Sequence, residues 1–314
     1  MNKSKASKNS FDKSLRKWPY IFLAPFAISY IGFFLFPTFY SLYMSFFRWN
    51  VGEKPKFTGV QNYVKLFTHD AYFWKSMSNT FIIMLFVIPL CIIVGLFLAE
   101  LLFNESLKFR GFFQIANYLP YVTTPIAVAI IFSLLFDQKI GVVNLLLVKI
   151  GIFEQGINWL TAPSYMQRGM LILMILWQWA GYYMLIYLAG MSSISADVYE
   201  AAKVDGASRI KIFFKITLPL LSNVTFFLVI TSVIFTLQIM DQPYLLLRGL
   251  GQGSQQSLEK PLMTVMVYFY ENCLRQGRLG YGAALTYSLF MVILAFTFLT
   301  LFIIKKRGGN NEED

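Results

Sequence analysis

The sequence predicts an all-α, polytopic membrane protein: six transmembrane helices, both termini cytoplasmic, and a cytoplasmic helix hairpin. Three observations carry this. Hydrophobic residues make up 57% of the 314, and charged residues only 14%, against about a quarter in soluble domains. Six stretches without Asp, Glu, Lys or Arg are each at least 24 residues long, and no other such stretch exceeds 13. Lys and Arg fall unevenly between the two alternating sets of connecting segments. The same composition excludes a disordered chain, a disulfide-stapled secreted domain and most soluble enzymes.

The six runs are Trp18–Phe47, Ser76–Ala99, Gly111–Phe136, Gly169–Ala196, Ile216–Met240 and Leu279–Ile304. About 20 apolar residues cross a bilayer, so each run can span once with length left for tilt. The first is too long for a signal-peptide core and lacks a small-residue cleavage pattern, so it stays as a helix, kinked near Pro37. An even number of spans puts both termini on one side. Segments 1–17, 100–110, 197–215 and 305–314 together hold 15 Lys and Arg. Segments 48–75, 137–168 and 241–278 are longer and hold 12. The denser side is the cytoplasmic one. Lys305-Lys306-Arg307 then anchors the last helix at the cytoplasmic interface, and the tails 1–17 and 305–314 are cytoplasmic. The formal charge of +11 is therefore membrane topology and not a nucleic-acid footprint.

Single residues narrow the chemistry. His69 is the one histidine, which excludes histidine-cluster catalysis and zinc sites built on two or more histidines. Cys91 and Cys273 form no C-x-x-C pair, and Cys91 reads as a buried free thiol. No Gly-Lys dipeptide occurs, so there is no P-loop. Gly249-Leu-Gly251-Gln-Gly253 breaks the dinucleotide-binding spacing and reads as a loop. None of the six runs holds a carboxylate, lysine or arginine. Ion-coupled transporters often use intramembrane acids, so any uphill movement here draws its energy from outside the chain.

The runs do hold neutral polar and aromatic groups: Asn117, Tyr121, Thr123 and Thr124 in the third, Tyr182 and Tyr183 in the fourth, Ser232, Thr236 and Gln238 in the fifth. Ser232, Phe235, Thr236 and Ile239 are spaced i, i+3, i+4, i+7 and share a helical face. Hydroxyls beside an aromatic ring suit a neutral polyhydroxylated ligand. They equally suit helix-to-helix packing in a membrane.

The segment 197–219 differs from the other connections. Ala201 and Ala202 favour helix. Gly206, after Asp205, fits a left-handed C-terminal cap. Arg209, Lys211 and Lys215 alternate with Ile210, Ile212, Phe213 and Phe214, giving a second, amphipathic helix before Pro219. Such a hairpin can lie on a lipid surface or dock in a groove on a soluble partner.

Glu200-Ala201-Ala202, Gly206, Ile216 and Leu218-Pro219 match, in register, the EAA loop of permease subunits of bacterial ABC importers. Further residues resemble the maltose and multiple-sugar branch of that family: Gly59-Val-Gln-Asn62-Tyr63 with Phe73 and Asn79-Thr80, Gly141-Val-Val-Asn144, and Gly280-Tyr281-Gly282-Ala283-Ala284. Arg248-Gly249-Leu250-Gly251 departs from the Gly-Gly-Pro usual there. The resemblance implies a permease core over 76–304 after a first helix at 18–47. It implies half of a sugar translocation pathway, worked by alternating access. Its implied partners are a second, non-identical permease, an extracellular solute-binding protein, membrane lipid, and a cytoplasmic ATPase dimer that holds ATP and Mg; this chain itself binds no cofactor, metal or nucleic acid. It assigns Glu200, Ala201, Ala202, Asp205, Gly206, Arg209, Leu218 and Pro219 to coupling with the ATPase. It assigns Tyr182, Ser232, Phe235, Thr236 and Ile239 to the substrate pathway, and no residue to catalysis. Two rival readings remain: the same transporter with glycerol phosphate or an acidic sugar as cargo, and a six-span receptor or scaffold.

Overall fold

The computed structural model describes residues 18–103, 107–249 and 260–308. The predicted N-terminal tail, the Gly-rich stretch from residue 250, the side chains of Lys305-Lys306-Arg307 and the tail beyond residue 308 lie outside the described residues. In chain order the elements are α1 (Trp18–Met44), β1 (Phe47–Arg48), β2 (Lys56–Phe57), α2 (Gln61–Thr68), α3 (Ala71–Phe103), α4 (Arg110–Val122), α5 (Pro125–Leu135), α6 (Val142–Lys149), α7 (Ser164–Ser192), α8 (Ala196–Val204), α9 (Arg209–Ile212), α10 (Ser222–Leu237), α11 (Asp241–Gly249), α12 (Val265–Tyr270) and α13 (Leu279–Gly308). The all-α expectation holds: among the described residues the one ladder is the antiparallel pair β1–β2, two residues long.

Among the described residues, five helices are long and apolar enough to cross a membrane: Trp18–Met44, Ala71–Phe103, Ser164–Ser192, Ser222–Leu247 and Leu279–Phe302. The third run corrects the expectation of one continuous span. It forms α4 and α5, bent by 98°. Thr123 and Thr124 are both extended, with ψ of 139° and 141°. Pro125 disfavours helix at the residue before it and suits the first position of a new helix. Thr124 Oγ1 caps that new helix by accepting from Ala127 N. Six spans are reached if this bent pair counts as one. The fifth span also runs further than its charge-free run and takes in Asp241.

Prolines shape two further irregularities. The kink expected near Pro37 is a π-helical turn over Ile31–Leu35, where Phe36 N–H donates to Ile31 C=O. A second such turn covers Phe213–Thr217 ahead of Pro219, with Leu218 N–H donating to Phe213 C=O. A proline ring clashes with the carbonyl four residues back, and widening the preceding turn relieves that clash.

The chain forms two compact units. The first comprises the residues up to Thr68 with Asn272–Tyr287. Its turns are held by residues quoted above for the family resemblance. Asn62 Nδ2 donates to Ser45 O (2.8 Å) and Phe47 O (2.9 Å), and the Tyr63 hydroxyl meets Ser45 Oγ at 2.7 Å. Gly280 lies so close to Phe47 that a Cβ there would sit 2.0 Å from its carbonyl oxygen.

The second unit comprises His69–Glu271 with the residues from Ser288 on. Here α7 is central, packed along α3 and α4. Water-driven apolar burial is weak between helices in lipid, so close backbone approach and polar contacts hold them. Gly181 supplies the approach: a Cβ there would sit 1.9 Å from Asn117 O on α4. Gln178 Nε2 donates to the Thr123 carbonyl (3.4 Å), freed where the third run breaks, and Gln242 Nε2 donates to Gln178 Oε1 at 3.0 Å. Asn79, fully buried, donates to Lys260 O and Met263 O and accepts from Arg168 Nη2, while Thr80 Oγ1 accepts from Val265 N. Cys91 is a buried free thiol, as expected.

Candidate functional site: a polar hairpin and an aromatic wall

The segment 197–219 folds as predicted into helix, turn and helix. Ser195 Oγ accepts from Asp197 N to start α8. Asp197 sits in the first turn and Lys203 in the last, both matched to the helix dipole. The exit is a left-handed cap. Gly206 has φ +71°, its N–H donates to Lys203 O, and Ala207 N–H donates to Ala202 O. No atom lies within 4 Å of where a Gly206 Cβ would stand, so glycine is required by conformation and not by space. Ser208 Oγ then caps α9 by accepting from Lys211 N.

Ala202 is the buried member of the Glu-Ala-Ala triplet, while Glu200, Ala201 and Asp205 are exposed. The amphipathic reading of the second helix divides. Phe213 packs on the core, but Ile210 and Phe214 are exposed, with Val204 nearby at 87% exposure. Pro219 is exposed and Leu218 half-buried. Arg209 turns back on this chain: its Nε meets Glu100 Oε1 at 3.2 Å, and its Nη2 donates to Glu100 O at 3.1 Å. Tyr199 rests its ring on Phe103 and its hydroxyl near Thr217 Oγ1. The hairpin is thereby tied to the end of α3. Sequence reasoning missed Glu100 because 109 residues separate it from Arg209; the only signal was a carboxylate directly after a charge-free run.

The expected substrate face splits. Ser232, Thr236 and Ile239 are buried, whereas Phe235 is 57% exposed. Ser232 donates to Leu228 O and meets the Tyr183 hydroxyl, so α10 is bonded to α7 through it. Thr236 Oγ1 is sealed in and has no hydrogen-bond partner among the described residues. Phe235 instead shares an open face with Thr231 and Gln238, at i−4 and i+3. Its ring meets Trp179 edge-on at 6.3 Å. Tyr182, three residues further along α7, stacks on Tyr121 with centroids 4.9 Å apart and planes 18° apart, and Tyr118 flanks Tyr121. The result is a wall of five half-buried or exposed aromatic rings from three helices, with the Ser–Thr row behind it. Trp179 was missed, though its i, i+3 spacing to Tyr182 carried the signal.

Residues 91–306 match the family described as binding-protein-dependent transport system inner membrane component. The chain is 35% identical over 290 residues to the lactose transport system permease protein of Rhizobium radiobacter, covering 92% of this chain and 94% of that one. It is 33% identical to an arabinooligosaccharides transport system permease protein of Bacillus subtilis, over 90% and 87% of the two chains. A solved bacterial alginate ABC transporter, in complex with an alginate pentasaccharide-bound periplasmic protein, superposes with a TM-score of 0.77 at 25% identity, covering 92% of this chain and 95% of that one. With the hairpin at 197–219 inside the matched residues, the chain belongs to the family of inner-membrane permease components of binding-protein-dependent ABC importers.

Proposed function

We propose that the chain is one of two non-identical permeases of a sugar importer. A cytoplasmic ATPase dimer drives it through the hairpin, and an extracellular solute-binding protein supplies it. Both termini are cytoplasmic in this reading, and ATP and Mg sit on the ATPase. The observation that carries it is the hairpin surface. Glu200, Val204, Ile210 and Phe214 of the hairpin are all exposed. A hairpin that presents carboxylates together with exposed apolar side chains suits a groove that offers apolar walls and basic groups. Cycling is then a population shift: nucleotide-driven closure of the ATPase favours one permease conformation over another.

The aromatic wall supports a sugar as cargo. Ring faces pack on the apolar faces of pyranoses, and Gln238 and Thr231 can exchange hydrogen bonds with hydroxyls. Relatives named for lactose and arabinooligosaccharide transport point the same way. No Lys or Arg belongs to the wall, which favours neutral over anionic cargo.

The test is co-purification of the tagged chain from its native membrane. The wild type should elute with an ATPase and a second six-span chain. Val204→Asp should lose the ATPase while keeping the second permease. An ATPase retained at wild-type level with this variant would refute docking through the hairpin. A lone homodimer in the wild type would favour a receptor or scaffold.

A further inference from the structure

The first unit carries a cavity lined by none of the residues assigned above to coupling or to the substrate pathway. It is about 470 Å³, and its lining includes Arg48, Trp49, Gln61, Lys65, Arg278 and Tyr281. Three cations face one space, and among the described residues none of the three makes an ion pair. Lys65 Nζ lies 5.7 Å from the centre of the Tyr281 ring, and Arg278 Nη1 makes a long contact of 3.4 Å to Asn272 Oδ1. Glu53 is near in sequence, but its carboxylate accepts from Asn50 Nδ2, and no carboxylate lines the cavity. Arg48 is also paired across the short ladder with another cation, Lys56. The walls are fixed by backbone bonds: Val51 N donates to Gly277 O (2.8 Å), and Gly280 N donates to Trp49 O (3.1 Å).

The position of the cations says what the cavity meets. Arg48 directly follows the first charge-free run, and Arg278 directly precedes the sixth. Both therefore sit where hydrocarbon gives way to headgroups, at the same predicted face of the membrane. Trp49 and Tyr281 are the residue types that settle at that depth. Tyr43 and Phe39, one and two turns back along α1, are exposed and offer apolar surface for acyl chains.

We propose that this cavity is a binding site for the phosphate of an anionic phospholipid headgroup, seated at the external ends of the first and sixth spans. Arg48, Lys65 and Arg278 neutralise the phosphate, and Gln61 adds a neutral donor. The acyl chains descend along α1. A phosphate is favoured over a carboxylated partner because two of the three cations, Arg48 and Arg278, flank the apolar runs themselves.

The test uses the full chain with its co-purifying partners, delipidated in detergent and offered an equimolar mixture of phosphatidylglycerol and phosphatidylcholine. Native mass spectrometry reads the retained lipid. The wild type should keep phosphatidylglycerol selectively. R48Q/K65Q/R278Q should lower that retention on the order of a hundredfold, at roughly fivefold per cation. R48K/K65R/R278K should keep it, as should K139Q/K149Q, which removes charge elsewhere on the same predicted side. If the triple variant does not fold, the three single glutamine variants carry the test, each read against the expected fivefold. Equal retention of both lipids, or retention unchanged by the glutamine variants, would overturn the proposal. Displacement of the lipid by inorganic phosphate or glycerol phosphate at equal concentration would assign the cavity to a free anion and overturn it as well.

Discussion

The hairpin at 197–219 and the face of α10 differ in what fixes their shape. The hairpin is built by neighbours in the chain. Ser195, Gly206 and Ser208 each satisfy or redirect backbone groups within five residues, so its shape is local chemistry. The α10 face depends on what packs against it. Helical spacing put Ser232, Phe235, Thr236 and Ile239 together, and α7 then took Ser232 for itself and left Phe235 open. Period tells which residues share a face; it does not tell which edge of that face a neighbour covers.

The largest expected effect falls on a position that belongs to neither region. Gly181→Leu would drive a side chain into the Asn117 carbonyl, and backbone cannot yield as a flexible side chain can. Membrane levels of the folded chain should collapse, read by size-exclusion profile after solubilisation. A wild-type profile would mean that α4 and α7 can separate.

Next comes the hairpin turn. Gly206→Val places a β-branched residue at φ +71°, at a cost of roughly 1–2 kcal/mol or more. Uptake of labelled oligosaccharide should fall by about five- to thirtyfold, while Gly206→Asn, which tolerates that region better, should recover most of it. Equal loss in both variants would move the role of Gly206 from conformation to its bare surface.

The aromatic wall should respond more gently. Tyr182→Ala removes the stack on Tyr121, and an aromatic contact of this kind is worth about 0.5–1.5 kcal/mol. The apparent KM for sugar should rise by about two- to tenfold, and Tyr182→Phe should rise less. Ser232→Ala should chiefly lower stability, by about 1 kcal/mol for a lost buried hydrogen bond. A KM effect of Ser232→Ala larger than that of Tyr182→Ala would reverse the assignment and restore the sealed row as the ligand surface.

The tether between hairpin and α3 should matter least for stability. Arg209 and Glu100 are only partly buried, so Glu100→Gln should cost under about 1 kcal/mol. Coupling should suffer more than folding, with ATP hydrolysed per sugar imported rising in proteoliposomes. At the far end of the scale, Asp137 accepts from Ile140 N and Lys139 N, and these bonds hold its carboxyl below the ordinary value. Its stabilisation is present above the unfolded-state value and is lost as pH falls through the lower, folded one. Asp137→Asn should therefore lower thermal stability slightly at neutral pH and flatten the small acid-side decline, the two proteins converging as pH falls.

Much of the architecture was legible because lipid imposes long charge-free runs and local chemistry marks the turns. The break at Thr123–Thr124 was legible in principle, since Pro120, Pro125 and two cap-competent threonines lie together there; run length alone hid it. Pairs such as Arg209–Glu100 and Asn79–Lys260 could not be read, because their partners are set by packing across 109 and 181 residues. Several residues that resemble the sugar-permease branch turned out to hold structure: Asn62 and Tyr63 fasten a turn, Asn79 and Thr80 clamp the chain at 260–265, and Asn144 donates to Asp137 O and Ile157 O and accepts from Trp159 Nε1.

The central claim is that the chain moves cargo only when an ATPase acts on its hairpin. Proteoliposomes holding the chain alone, and proteoliposomes holding it with the co-purified permease and ATPase, should be compared for concentrative uptake of labelled sugar from its loaded binding protein. ATP should drive accumulation in the complete assembly, and the isolated chain should accumulate nothing under an imposed proton or sodium gradient. Gradient-driven accumulation by the isolated chain would contradict the account.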